Sequence, residues 1–164
     1  MKPTARPSRA TKRTPRAIKR KPRVTKRRPE RTAARPTVHV SIDVPDLDAG
    51  VRFYGALFGF VEIARPFPAM AILDANNVTV CMHAKPAGTK PSPNNTEVRR
   101  YARHWTPVHV DLHVHDFDGV LAKLRAAGGV VEAEYRDHGP MPTAFCSDPF
   151  GNGFCVIGEG SDDD

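Results

Sequence analysis

No stretch of this chain approaches the ~20 consecutive apolar residues that a helix needs to cross a bilayer. No apolar segment follows the positive N-terminus either, so a secretory signal is not expected. An Arg-rich organellar presequence must form an amphipathic helix, and the prolines here forbid one. Cysteine is scarce. The three residues Cys81, Cys146 and Cys155 are an odd number without a CxxC pair, which argues against a disulfide framework and against a local metal motif. The expectation is a cytoplasmic protein, with nucleoid association as a variant. The first 36 positions contain no aromatic residue, so they have nothing to stack on bases.

Acid is nearly missing from those same 36 positions. Fifteen Lys/Arg face a single Glu30, a net of +14, whereas the other 128 residues hold ten Lys/Arg and seventeen Asp/Glu, a net of −7. The chain is an acidic body with a basic tail. Pro15, Pro22, Pro29 and Pro36 recur every seven residues in TPRAIKR, KPRVTKR, RPERTAA and RPTV. A proline per repeat costs a helix about 3 kcal/mol each time, so the period does not make a coiled coil. Residues 1–36 are predicted to be disordered. Their composition is similar to the Lys/Arg/Pro/Ala tails of linker-histone-like bacterial proteins. The expected partner is DNA or RNA, bound without sequence preference through phosphate neutralisation; a solubilising tail and an upstream start codon are the competing readings.

From residue 37 onward the sequence is written twice. HVSIDVPDLDAGVRFYGALFGF (39–60) aligns without a gap on HVDLHVHDFDGVLAKLRAAGGV (109–130), with seven identities in 22 positions. Each copy reads as an alternating strand (38–44 and 108–114) followed by a helix. Asp46 or Asp116 caps that helix, and Gly59 or Gly128–Gly129 ends it. Three short strands complete each copy, near 60–64, 69–74 and 77–83, then near 130–134, 142–147 and 153–157. The predicted class is α+β: two tandem βαβββ modules forming a curved mixed sheet around a cleft. The body spans 37–160, with modules 37–83 and 107–160. A connector, 84–106, contains a short basic helix around 97–104, and residues 161–164 form an acidic stub.

Strand parity separates the faces. Val40, Ile42 and Val44 oppose His39, Ser41 and Asp43; Val110, Leu112 and Val114 oppose His109, Asp111 and His113. The apolar faces meet the helices, which leaves the polar set to line the cleft. By the same parity Cys81 and His83 join the first set and Cys155 joins the second.

Tandem βαβββ units with a histidine opening each first strand, together with the ending DPFGNGFCVI (148–157), resemble the vicinal oxygen chelate superfamily. Glyoxalase I, bleomycin-resistance proteins, fosfomycin-resistance enzymes and extradiol dioxygenases belong to it. The resemblance implies that metal-using members take one ligand from the first strand and one from the fourth strand of each unit. Those places hold His39, Cys81, His109 and Cys155. At the final place metal enzymes of the family usually carry glutamate. A thiol there disfavours glyoxalase I and extradiol dioxygenase chemistry, and a two-His two-Cys set would suit Zn²⁺. The resemblance implies a small oxygenated organic ligand and a possible reaction of lyase or isomerase type. Sequestration of a drug or metabolite without chemistry is the alternative, and the state is a monomer or a homodimer.

Cys155 keeps three readings: a small buried hydrophobe, a zinc ligand, or a thiolate lowered by a nearby imidazolium. Glu134, with Glu132, is a weak candidate for a catalytic base. Arg99, Arg100 and Arg103 are placed to meet an anionic substrate or a partner subunit, or to form a wet helix face. Trp105, the only tryptophan, is expected to pack at the junction between the modules.

Overall fold

The computed structural model describes residues 36–137 and 139–159. The predicted basic tail, apart from Pro36, and the acidic stub lie outside the described residues. The body follows the βαβββ order twice. The first module contains β1 (His39–Val44), α1 (Leu47–Phe58), β2 (Val61–Phe67), β3 (Met70–Asp74) and β4 (Thr79–Ala84). The second contains β5 (Val110–Val114), α2 (Phe117–Ala126), β6 (Val130–Tyr135), β7 (Thr143–Ser147) and β8 (Gly153–Gly158). No described helix is long and apolar enough to cross a membrane.

The helix boundaries have local causes. Asp46 accepts from the Ala49 amide and Asp116 from the Gly119 amide, each at 2.9 Å, so both helices begin on an N-cap carboxylate. Gly59 ends α1 in the left-handed conformation (φ 72°) and bonds its amide to the Gly55 carbonyl. The predicted curved sheet is realised as two four-stranded sheets, ordered β1-β4-β3-β2 and β5-β8-β7-β6. In each, the first strand runs parallel to the fourth, and the remaining pairs are antiparallel. Both first strands therefore lie at a sheet edge.

The apolar faces meet the helices as parity requires. Val44, Leu73, Val80 and Met82 are buried with Leu47, Phe53, Tyr54 and Leu57 of α1; Ala144, Cys146, Phe154 and Val156 are buried with Leu121 and Leu124 of α2. The modules meet on this helix side. The ring of Phe154 lies 5.6 Å from that of Phe58 and 6.4 Å from that of Tyr54. A buried carboxylate reinforces the contact. Asp148 accepts from the Tyr54 hydroxyl (2.9 Å), the Phe150 and Asn152 amides (2.9 and 2.8 Å) and the Asn152 side-chain amide (2.8 Å). Asn152 also donates to the Asp43 carbonyl at 3.2 Å, which ties the 148–152 turn to β1. Gly151 is obligatory in this turn: its φ is 87°, and a Cβ there would lie 2.9 Å from the backbone of Ala102.

Two expectations are corrected in the connector. Residues 97–104 are not helical. The Arg99 amide and carbonyl bond to Thr89 and Gly88 instead of closing a helical turn, and the Tyr101 hydroxyl donates to the Lys85 carbonyl. Arg99 reaches Asp43 at 2.6 Å and Arg103 reaches Glu132, so the segment is anchored at both modules and cannot shorten into a coil of helix. Trp105 does not pack at the junction. It is 78% exposed, because the junction is already filled by Tyr54, Phe58 and Phe154.

The Asp148 node yields an ordered stability series. Tyr54→Phe removes one of four hydrogen bonds and is expected to cost about 1–2 kcal/mol, whereas Asp148→Ala strands every donor and is expected to cost about 3–5 kcal/mol. Urea unfolding followed by circular dichroism reads both. A smaller loss for Asp148→Ala than for Tyr54→Phe contradicts the assignment.

Candidate functional site

Because β1 and β5 are edge strands, both of their faces border the gap between the modules. That gap is a cavity of about 500 Å³. Val40, Val80, Tyr54 and Phe60 of the first module and Leu112 and Phe154 of the second give it apolar walls. Ser41, Asp43, His104, His109, Asp111 and Asn152 supply its polar groups. Such an apolar hollow with a few convergent polar atoms is the usual form of a small-ligand site. Tyr54 keeps its proton, since burial and then the Asp148 charge raise its phenol well above the ordinary value. Asp148 is itself raised by burial, with the Asn152 and Tyr54 hydrogen bonds pulling the other way.

The candidate residues from the sequence divide between two surfaces. In the first sheet Ser41 lies opposite Cys81 and Asp43 opposite His83, with His39 two residues before Ser41 on the same face. In the second sheet Asp111 lies opposite Cys155 and His113 opposite Ile157, with His109 two residues before Asp111. Of the predicted cleft set, Ser41, Asp43, His109 and Asp111 border the cavity; His39, Cys81, His83, His113 and Cys155 are not among its lining residues.

The four-residue set His39, Cys81, His109 and Cys155 does not converge within the chain. Among the described residues, the group whose ligand atoms lie together is His109, Asp111 and Cys155, all within 4.8 Å of one another. His39 and Cys81 belong to the other sheet. Asp111 enters this group as a donor, a role that strand parity alone did not give it.

The chemistry of Cys155 is now narrower. The residue is 4% exposed, and its thiol is pushed up to about 11, by burial first and by the neighbouring Asp111 carboxylate second. Both causes oppose a thiolate lowered by imidazolium. Cys146 is raised to about 12, again mainly by burial.

The carboxylates suggested as bases are already engaged. Glu134 lies opposite Ala144, on the helix side of β6, and pairs with Arg136 and Arg125. Their hydrogen bonds, Arg136 first, lower its carboxyl, and the bond from Arg103 does the same for Glu132. A carboxylate held ionised under guanidinium groups is a poor proton acceptor. The three arginines of the connector are likewise paired, Arg99 with Asp43, Arg100 with Glu97 and Arg103 with Glu132. Sequence reasoning missed Tyr54, Asp148, His104 and Asn152. A tyrosine inside the apolar stripe of α1 was the available signal, since a buried hydroxyl demands a partner.

The comparisons agree with this architecture. The glyoxalase-like domain family matches residues 39–157. Among curated proteins, none matches the chain by sequence. Among solved structures, a variant of the fosfomycin resistance protein FosX from Listeria monocytogenes, complexed with Mn(II) and 1S,2S-dihydroxypropylphosphonic acid, is 15% identical with a TM-score of 0.60. The match covers 79% of this chain and 94% of that one. Lactoylglutathione lyase from Agrobacterium tumefaciens is 16% identical at a TM-score of 0.54, over 77% of this chain and 95% of the other. A glyoxalase/bleomycin resistance protein from Albidiferax ferrireducens is 20% identical at 0.53, over 74% and 97%. At these identities the likeness is one of fold. With the family match covering both repeats, their helices and the 148–152 turn, the chain belongs to the glyoxalase-like domain family of the vicinal oxygen chelate superfamily.

Proposed function

We propose that the chain binds a small organic molecule carrying oxygen functions in the cavity between β1 and β5. The cavity carries the reading: about 500 Å³ with Val40, Phe60, Leu112 and Phe154 as apolar walls, and His104, His109 and Asp111 at its polar edge. Holding the molecule is the primary role. Any transformation of lyase or isomerase type falls to the pair at that edge. His109 Nε2 lies 3.1 Å from Asp111, a carboxylate held by an imidazole rather than by a guanidinium.

The tail supplies a separate activity. Its net charge of +14 with no aromatic residue supports non-specific association with nucleic-acid phosphates. The outward sheet faces support a homodimer. Val61, Ile63 and Phe67 along β2, and Val130 and Phe145 in the second sheet, are large hydrophobic residues left exposed.

Three measurements test these readings. The dye 8-anilinonaphthalene-1-sulfonate, an aromatic anion, is expected to bind saturably, and Val40→Trp to weaken it about tenfold or more, or ~1.4 kcal/mol, with circular dichroism unchanged. Equal dye affinity in the variant rejects the cavity. Deleting residues 1–36 is expected to abolish retention on a DNA column at low salt; undiminished retention would show that the tail is not the binding element. Light scattering is expected to give the molar mass of two chains for the wild type and of one for Phe67→Glu, while a one-chain mass in the wild type removes the dimer.

A further inference from the structure

We propose that a second hollow, between the connector and the 148–152 turn, is a binding site for a small organic carboxylate. The hollow measures about 210 Å³, and its lining includes Val98, Arg99, Arg100, Tyr101 and Phe150, none of which lines the cavity between β1 and β5. Asp43, His104, Gly151 and Asn152 line both, so the two spaces are neighbours with a common wall. The backbone shapes the hollow. Bonds from the Arg99 amide to Thr89 and from the Gly88 amide to Arg99 hold the connector extended. Gly151 lets the turn come so close to Ala102 that a Cβ would lie 2.9 Å from it. The volume is below the about 300–1,000 Å³ of drug-sized sites, which suits a ligand of one ring or a short chain.

Charge decides which small molecule belongs there. Residues 37–164 carry a net −7, yet this hollow is lined by two guanidinium groups and one carboxylate. That carboxylate, Asp43, is already neutralised by Arg99 Nε at 2.6 Å. The three connector arginines differ in what their bonds leave over. Arg103 binds Glu132 through Nε and Nη2 and the His104 carbonyl through Nη1, so all three of its nitrogens are taken. Arg99 binds Asp43 through Nε, and Thr89 and the Lys90 carbonyl through Nη1, while its Nη2 makes no hydrogen bond among the described residues. No buried side-chain nitrogen is left unsatisfied among those residues, so Nη2 is open to solvent in the hollow that Arg99 lines.

Arg100 supplies the second cation. Its partner is Glu97 at 3.1 Å, with side-chain exposures of 72% and 71%. Such a surface pair is worth little and gives way to a better-placed anion. Arg99 is the opposite case: three bonds already order its guanidinium, so little side-chain freedom is lost when a ligand arrives. A carboxylate in the hollow takes charge-assisted hydrogen bonds from both. Tyr101 and Phe150, both half-buried, offer ring surface to the rest of the ligand, and the Tyr101 hydroxyl is fixed on the Lys85 carbonyl. Inorganic phosphate would leave those rings uncovered. An organic acid, one carboxylate on a flat or short apolar body, matches both halves of the lining.

The test is a proton–nitrogen NMR correlation titration of the full chain with sodium benzoate and, separately, with benzamide, at constant ionic strength. Benzoate is expected to bind saturably in the millimolar range and to shift the amides of Arg99, Arg100, Tyr101 and Phe150. Benzamide, the same ring without the charge, is expected to bind about tenfold more weakly or less. Arg100→Gln, at an exposed position, is expected to weaken benzoate about fivefold with circular dichroism unchanged. Glu97→Gln, which frees Arg100, is expected to tighten benzoate about twofold. The absence of saturable shifts, shifts confined to cavity residues such as Val40 and Leu112, equal affinity for benzamide, or benzoate affinity unchanged in either variant overturns the site. The reporting amides belong to residues outside the cavity lining and no dye is present, so the outcome is separate from that of the dye experiment.

Discussion

The arrangement of this protein depends on one buried carboxylate. Asp148 is 3% exposed, and its two oxygens accept four hydrogen bonds, one of them from Tyr54 in the other module. An ion in such a place is costly unless every lone pair is met, and here each oxygen receives two donors. The bonds are directional, whereas the phenyl contacts around Phe154 are not, so the carboxylate specifies how the modules are set against each other. Asn152 extends the same network to the backbone of β1. The edge of β1 is thereby held beside the second module, and the cavity is what remains between the two edge strands.

The connector completes this frame through paired charges. Arg99 and Arg103 each take a carboxylate from a different module, Asp43 from the first and Glu132 from the second. Two of the three arginines that the sequence offers as an anion receptor are thus bound into the architecture. One consequence lies at the cavity: the stretch after Arg103 runs along it, and His104, Thr106, Pro107 and Val108 become part of the wall. Surface ion pairs contribute little stability on their own. Arg99 differs, because its side chain is only 16% exposed and also donates to Thr89 and the Lys90 carbonyl.

Much of the fold was legible in the residues. The gapless repeat predicts two equal modules, Asp46 and Asp116 mark the helix starts, and alternation assigns Val80 to the core and Cys81 to the opposite face. Those features are local, or depend on a period that a single segment displays. The relation between the modules is neither. Parity tells which face of a sheet is polar, but two modules with the same parity can meet by their polar faces or by their helix sides. The choice was made by Tyr54, Phe58, Phe154 and Asp148, which are far apart in the chain. The same limit explains the connector. EVRRYARHW has a helical composition, and only the distant partners Asp43 and Glu132 reveal that it is stretched. It also explains Asp111, whose nearness to Cys155 is a property of the β5–β8 register.

Duplication and divergence of the polar faces have a common physical logic. Two copies of one βαβββ unit begin with equivalent registers, and the fold needs only the apolar half of each strand to remain unchanged. The outward half is free to vary, since a change from serine to aspartate there disturbs no core contact. At the paired positions Ser41 and Asp111 that freedom has been used, while His39 and His109, and Cys81 and Cys155, remain alike. Burial raises the Cys155 thiol, the added carboxylate raises it further, and the same carboxylate lies 3.1 Å from His109 Nε2. The two repeats thus differ at this register in charge and not in backbone: Asp111 faces Cys155 where Ser41, a neutral hydroxyl, faces Cys81.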